Sequence, residues 1–159
     1  MNRNGDRDSL MIRMAYRHGL RVSELVDLRW SQVNFDEARL HVRRLKGSKS
    51  STHPIQGDEL RALRKLRRDN PHGEFIFVSE RGAPFSADGV QKMVARLAEK
   101  AGLGSLRPHP HMFRHACGYA LANKGTDSRA IQDYLGHANA QSTVRYTQLS
   151  PERFKDFRW

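Results

Sequence analysis

Six side chains suited to phosphate chemistry are spread through this 159-residue chain: Arg21, Lys46, His111, Arg114, His137 and Tyr146. Four of them, together with Arg107 and Arg145, fall in the forty residues from Arg107 to Tyr146. Phosphodiester cleavage passes through a crowded state with extra charge on the non-bridging oxygens, so the protein must supply fixed cations. Arginines from separate segments, Arg21 and Arg114, can grip both oxygens with planar forks that stay charged. Imidazoles at His111 and His137 can donate hydrogen bonds or help move a proton. A tyrosine hydroxyl, with an ordinary pKa of about 10, becomes a usable nucleophile where cations and a base lower the cost of its anion. Tyr146 is the candidate nucleophile, and Lys46 a candidate donor to the leaving oxygen. Each residue alone also has a duller reading, Arg21 as a solvated arginine and Tyr146 as a packing residue. The set of cations, imidazoles and one hydroxyl from separated segments favours the chemical one.

The elements that must position these groups are mainly helical. Leu10, Met11, Met14 and Ala15 predict a helix over 9–18 after a polar start, with Gly19 ending it. Ser23 is the expected N-cap of a second helix, so Arg21 falls in the tight connection between the two. Leu40, Val42 and Leu45 among His41, Arg43 and Arg44 read as a strand. Residues 46–51 read as a hairpin turn and 52–55 as the return strand, forming a basic ribbon with Lys46 and Lys49 near its tip. Helices follow at 58–68 and from the N-cap Ser86 to Ala101, with a short apolar strand expected at 75–78 between them. Helices are then expected at 111–123, around Ile131 to Leu135 and from about Ser142, and a last amphipathic helix over 150–159. His111 and Arg114, three apart, share a helix face. The fold class expected is α+β, mainly helical, with a small antiparallel sheet.

A chain of this length forms one domain around one core. With 28 Lys and Arg against 17 Asp and Glu, the net charge is +11. The basic residues run the whole length, which favours a folded surface that meets a polyanion. Arg43, Arg44, Lys49, Arg107 and Arg145 are the candidate contacts to a nucleic-acid backbone. A lone cysteine, Cys117, inside an apolar helical pattern reads as a small core residue in a reducing compartment. With no signal or membrane-spanning run, the expected location is the cytoplasm, in association with the nucleoid. His111 and His115 are four apart with His109 nearby, which fits a zinc site by spacing. However, Arg114 shares their face, and no acidic residue lies between Arg107 and Lys124. The expectation is therefore no metal. His115 is expected to be a buried, hydrogen-bonded packing residue.

The boxes carrying these residues resemble the tyrosine recombinases, the phage-type integrases. Gly19 to Leu25 resembles that family's first arginine box, and Arg44 to Lys49 the hairpin bearing its catalytic lysine. His109 to His115 resembles its His-x-x-Arg box, and Leu135-Gly136-His137 its next histidine box, with Tyr146 nine residues later. Within the family, Arg44-Leu45-Lys46, Ser51 to Pro54, His115 to Tyr119 and Ile131 to His137 are similar to the recombinases that invert the fimbrial promoter. The resemblance implies a transesterification that uses neither a metal nor a cofactor. Tyr146 attacks a DNA phosphate to leave a 3′-phosphotyrosyl link and a 5′-hydroxyl. Arg21, Arg114 and His137 hold the phosphate, Lys46 protonates the leaving oxygen, and His111 assists proton transfer. It also implies that protomers, monomeric when free, assemble as four on two double-stranded DNA sites. Relatives carry an additional N-terminal domain, so residues 1–159 are expected to be the catalytic domain without it. Two rivals are a DNA-binding module without catalysis, with residues 128–146 as helix-turn-helix, and a type IB topoisomerase using similar chemistry.

Overall fold

The computed structural model of the chain describes residues 3–44, 48–137 and 141–149. Helix α1 (Arg3–Arg17) and helix α2 (Val22–Val26) are followed by a 3-10 turn at Trp30–Gln32. The strands are β1 (Val33–Asn34), β2 (Arg39–Val42) and β3 (Ser51–Pro54), antiparallel in that order. Helices α3 (Gly57–Asp69), α4 (Ala87–Lys100), α5 (His111–Asn123), α6 (Ser128–Leu135) and α7 (Gln141–Leu149) complete the order. This is the expected mainly helical α+β fold with a small sheet. No helix among the described residues is long and apolar enough to cross a membrane.

Helix α1 buries Leu10, Met11, Met14 and Ala15, the stripe that predicted it. It starts at Arg3, earlier than its apolar pattern. Its first turn is held by Arg7, whose guanidinium pairs with Asp8 at 2.9 Å and lies over the Phe85 ring, while Asp8 also pairs with Arg96 of α4. A chain of partnered charges thus orders a turn that hydrophobic periodicity could not reveal. Gly19 ends the helix with φ +61°, and a Cβ there would lie 2.2 Å from Leu135. Both the backbone and the packing therefore require glycine.

The two expected strands pair antiparallel, with Leu40 opposite His53 and Val42 opposite Ser51, so Ser51, expected in the turn, belongs to β3. The sheet gains a third strand because Val33 pairs with Leu40 across the turn at 35–38. The expected strand at 75–78 is absent. Ile76 and Phe77 are buried, but they are tied by isolated bridges, Arg29 to Phe75 and Val78 to Pro84, with no neighbouring strand to form a ladder. The expected helix over 150–159 and the tip residue Lys46 lie outside the described residues.

A large core joins α1, α2, the sheet, α3 and α4. A smaller one, formed by Cys117, Ala122, Ile131, Leu135 and Tyr146, joins α5, α6 and α7. Burial raises the Cys117 thiol to about 11, so it is a packing residue, as read from the sequence.

Between the cores, His18 contacts Glu59 through Nε2 and His53 through Nδ1 at 2.9 Å. His53 stacks on Tyr134, with ring centroids 3.7 Å apart. Burial, then the charge on neighbouring His18 and Arg44, lowers the His53 pKa to about 3. An unfolded histidine titrates near 6.5, so between these values the unfolded chain binds a proton that the folded chain excludes. This contribution is present above about pH 6.5 and is lost as pH falls toward 3. We expect the urea midpoint to fall between pH 7 and pH 5. The fall should be smaller in His53→Phe, and an unchanged pH slope in that variant would contradict the assignment.

Candidate active site

Arg114 sits one turn into α5 and is 3% exposed. Its Nη1 donates to the Gly19 carbonyl at 2.5 Å and its Nη2 to the Leu135 carbonyl at 2.9 Å. Gly19 lies two residues before Arg21, and Leu135 two before His137. One buried guanidinium thus ties the two segments carrying the other phosphate-binding candidates. Burial first, then repulsion from Arg21 and Arg44, lowers its pKa to about 10, leaving it charged at neutral pH.

Arg21 is the residue at the N-terminal boundary of α2, two positions earlier than the Ser23 cap expected. Its backbone N–H donates to Glu24 Oε1 at 2.7 Å, fixing the turn in the manner of a capping box. Its half-exposed guanidinium reaches Ser48 Oγ at 3.2 Å and Glu24 Oε2 at 3.4 Å. The first arginine is therefore already in contact with the hairpin. Across the tip, the Lys49 N–H donates to the Gly136 carbonyl at 3.0 Å. The missing Cβ of Gly136 allows that approach, since one would lie 2.6 Å from the Lys49 carbonyl oxygen. The ribbon is thereby held against both Arg21 and the start of the His137 segment.

Arg44 does not lie on the surface. Its side chain is fully buried and pairs with Glu24 at 2.6 Å. It also donates to the carbonyls of His18, Gly19 and Tyr134. The expectation that it contacts a nucleic-acid backbone is corrected, because every group it reaches is internal. Glu24 and Arg44 are structural residues that reading the boxes for chemistry missed.

His137 is buried, with Nδ1 2.7 Å from Thr143 Oγ1, and its ring lies nearly parallel to that of Tyr146, 6.2 Å away. Burial, and then Arg114, Arg21 and Arg44, lower its pKa to about 4, so it is neutral at pH 7. With the Thr143 hydroxyl on Nδ1, Nε2 is the nitrogen left to serve a phosphate oxygen. His111 opens α5 and is exposed, packed edge to face on His115 with centroids 4.3 Å apart.

Tyr146, on α7, is 3% exposed. Its ring lies on the backbone of Gly118 in α5, where a Cβ would come within 2.6 Å of it. Tyr119 meets it edge-on at 5.0 Å. Its hydroxyl is 3.2 Å from Nδ1 of His115, which is half-buried. Burial raises the phenol's pKa while Arg114 and Arg145 oppose the rise, so the nucleophile candidate rests protonated. His115, expected to be a buried, hydrogen-bonded packing residue, is half-buried, and its hydrogen-bond partner is the Tyr146 hydroxyl. The contact spans 31 residues between two helices, and only its i, i+4 spacing from His111 hinted at a shared face.

The structure thus brings Arg21, Arg114, His137 and Tyr146 into one region, with His111 adjoining through His115. Among the other basic candidates, Arg43 is exposed and paired with Asp27 at 2.7 Å. Lys49, Arg107 and Arg145 are also exposed, and Arg107 adopts a left-handed φ of 47° after the 3-10 turn at Gly104–Leu106. Around Glu24, three arginines (21, 44 and 114) face one carboxylate, an excess of positive charge that a phosphodiester would complement. Among the described residues, no group of three His, Cys, Asp or Glu could hold a metal ion.

Residues 1–153 match the family model described as the phage integrase family. The chain is 42% identical over 156 residues to the type 1 fimbriae regulatory protein FimE of Escherichia coli K12, spanning 94% of this chain and 78% of FimE. It is 36% identical to the tyrosine recombinase XerC of Xylella fastidiosa, over 91% of this chain and 49% of XerC. In structure it is similar to the XerA recombinase, with a TM-score of 0.77 and 27% identity over 98% of this chain and 63% of XerA. XerH bound to a palindromic difH substrate gives a TM-score of 0.79 at 23% identity, over 97% of this chain and 46% of XerH, a likeness of fold. The chain thus spans about half the length of XerC and XerH. The ordered boxes, the shared fold and the match over residues 1–153 place this chain in the phage integrase family.

Proposed function

We propose that the chain is the catalytic domain of a site-specific DNA recombinase, cutting and rejoining strands through a 3′-phosphotyrosyl link on Tyr146. By family it is a tyrosine-type recombinase, an enzyme of DNA strand breakage and rejoining whose partner is DNA. The observation that carries the residue assignment is the reach of Arg114 to the carbonyls of Gly19 and Leu135, with Tyr146 beside His137.

Arg21 and Arg114 take the non-bridging oxygens, and His137 donates a hydrogen bond from Nε2. The Tyr146 oxygen forms a bond to phosphorus as the bond to the 5′ oxygen breaks. Lys46 supplies the proton to that oxygen, and His111 assists proton transfer. The phosphotyrosine conserves the energy of the broken bond, so rejoining by a 5′-hydroxyl needs neither ATP nor a metal. Four protomers on two duplexes exchange strands in pairs, in the cytoplasm at the nucleoid. The boxes similar to those of the promoter-inverting fimbrial recombinases, with the likeness to a type 1 fimbriae regulatory protein, support inversion of a promoter segment as the event. Arg43, Lys49, Arg107 and Arg145 carry the flanking phosphates.

The test uses nicked suicide duplexes selected from a randomised pool by binding to this chain. With chelator present, a covalent protein–DNA adduct should accumulate, and Tyr146→Phe should form none. An adduct that needs metal, or that persists without the Tyr146 hydroxyl, would overturn the proposal.

A further inference from the structure

The hydroxyl of Tyr146 must lose a proton as it attacks, yet burial holds it in the protonated form. A group that takes the proton during attack therefore contributes directly to the rate. Among the described residues, four imidazoles lie in this part of the fold, of which His109 is the furthest from Tyr146, stacked beyond His111. His137 stands beside the Tyr146 ring, but nearly parallel to it, at 17°, and with Nδ1 on Thr143. His111 is one ring removed, its contact being with His115. The nitrogen within hydrogen-bond distance of the hydroxyl is Nδ1 of His115, at 3.2 Å.

We infer that His115 is a catalytic residue, the base that accepts the Tyr146 proton, an assignment that rests on the proposed tyrosyl chemistry. Its Nδ1 carries the lone pair and its Nε2 the hydrogen. As the Tyr146 oxygen bonds to phosphorus, the phenolic proton passes to Nδ1 and the 5′ oxygen leaves with a proton from Lys46. In rejoining, the 5′-hydroxyl attacks the phosphotyrosine, Lys46 recovers its proton, and the imidazolium returns the other to the departing Tyr146 oxygen. The cycle is balanced, with no group oxidised or reduced.

The surroundings keep His115 able to accept. From its own helix, His111 and Arg114 face it; from α7, Arg145 and the Tyr146 hydroxyl; from the loop before α5, His109. Burial is the largest cause lowering its pKa, followed by Arg145, Arg114 and His109. The base is thus unprotonated at neutral pH. The edge-on contact with His111 fixes the plane of the His115 ring.

The test compares His115→Gln and His115→Phe with the native chain in single-turnover adduct formation on the selected suicide duplexes. Each duplex is made with either oxygen or sulfur at the bridging 5′ position. Glutamine can hold the hydroxyl but cannot take its proton, and a thiolate leaves without a general acid. We expect both variants to slow adduct formation about 100-fold or more, within the ordinary range for a general base. Sulfur should not restore them, and the acid limb of the native pH–rate profile, lying below the usual imidazole value, should vanish. A His115→Gln rate within threefold of native would overturn the inference by reducing His115 to an orienting group. Restoration by sulfur would overturn it by making His115 the acid. An adduct formed by Tyr146→Phe would instead defeat the underlying tyrosyl reading. Matching melting curves of the variants keep a folding defect separate from these outcomes.

Discussion

Arg44→Met lowers stability by about 3–5 kcal/mol, the usual cost of removing one partner from a buried ion pair. Glu24 is left with its remaining partner, the half-exposed Arg21, and three carbonyls lose a charged donor. For a domain of this size that corresponds to a fall in melting temperature of roughly 10 °C. Cleavage should fall further than stability explains. Arg44 and Arg114 both hold the Gly19 carbonyl, while one also holds Tyr134 and the other Leu135. With Arg44 gone, one of the two ties between the Arg21 turn and the His137 segment is lost. A displacement near 1 Å in such a site can cost about 100-fold in rate. The double variant Arg44→Met/Glu24→Leu separates the two effects. Replacing the whole pair by apolar groups should return much of the stability without returning the cleavage rate. Salt dependence adds a third readout. Arg145→Ala, at an exposed position, should reduce the slope of log K against log salt by about 0.9, the change for one phosphate contact. A conservative Arg44→Lys should leave that slope unchanged. A smaller slope in Arg44→Lys would revive the surface reading of Arg44.

Gly118→Ala should cost far more activity than stability. Glycine in the middle of α5 costs about 1 kcal/mol of helix stability relative to alanine. The position is kept open by the Tyr146 ring, whose atoms would lie 2.6–2.7 Å from the new Cβ. Such a contact displaces the ring by the better part of an ångström, and the hydroxyl moves with it away from His115. We expect adduct formation to drop about 100-fold, with a melting temperature that falls by no more than a few degrees or rises. The measurement is single-turnover cleavage beside a thermal melt of the same preparation. Unimpaired cleavage would mean that the ring does not need the Gly118 surface when DNA is bound.

The helices were legible because their apolar stripes and caps are local. The pattern over 111–123 and the Gly136 stop correspond to α5 and the end of α6. The catalytic boxes could be placed on elements for the same reason. What escaped depends on contacts distant in sequence. Arg44 looked like a surface cation, yet the strand's period of two carries Leu40 and Val42 inward and Arg44 after them, so its parity was a usable signal. The first turn of α1 rests on Arg7 meeting Phe85 and on its neighbour Asp8 meeting Arg96. No window around 3–8 contains Phe85 or Arg96. The role of Gly118 is equally non-local, because its neighbour Tyr146 arrives from another helix.

If Tyr146 is the nucleophile, a DNA phosphate becomes bonded to its oxygen. Trapped adduct, prepared in chelator and trimmed by nuclease, can be cut with trypsin and weighed. A nucleotide mass is expected on the peptide running from Tyr146 to Arg153, with the modification on Tyr146. The same mass on a peptide holding Tyr119 or Tyr134, or on no tyrosine at all, would contradict it.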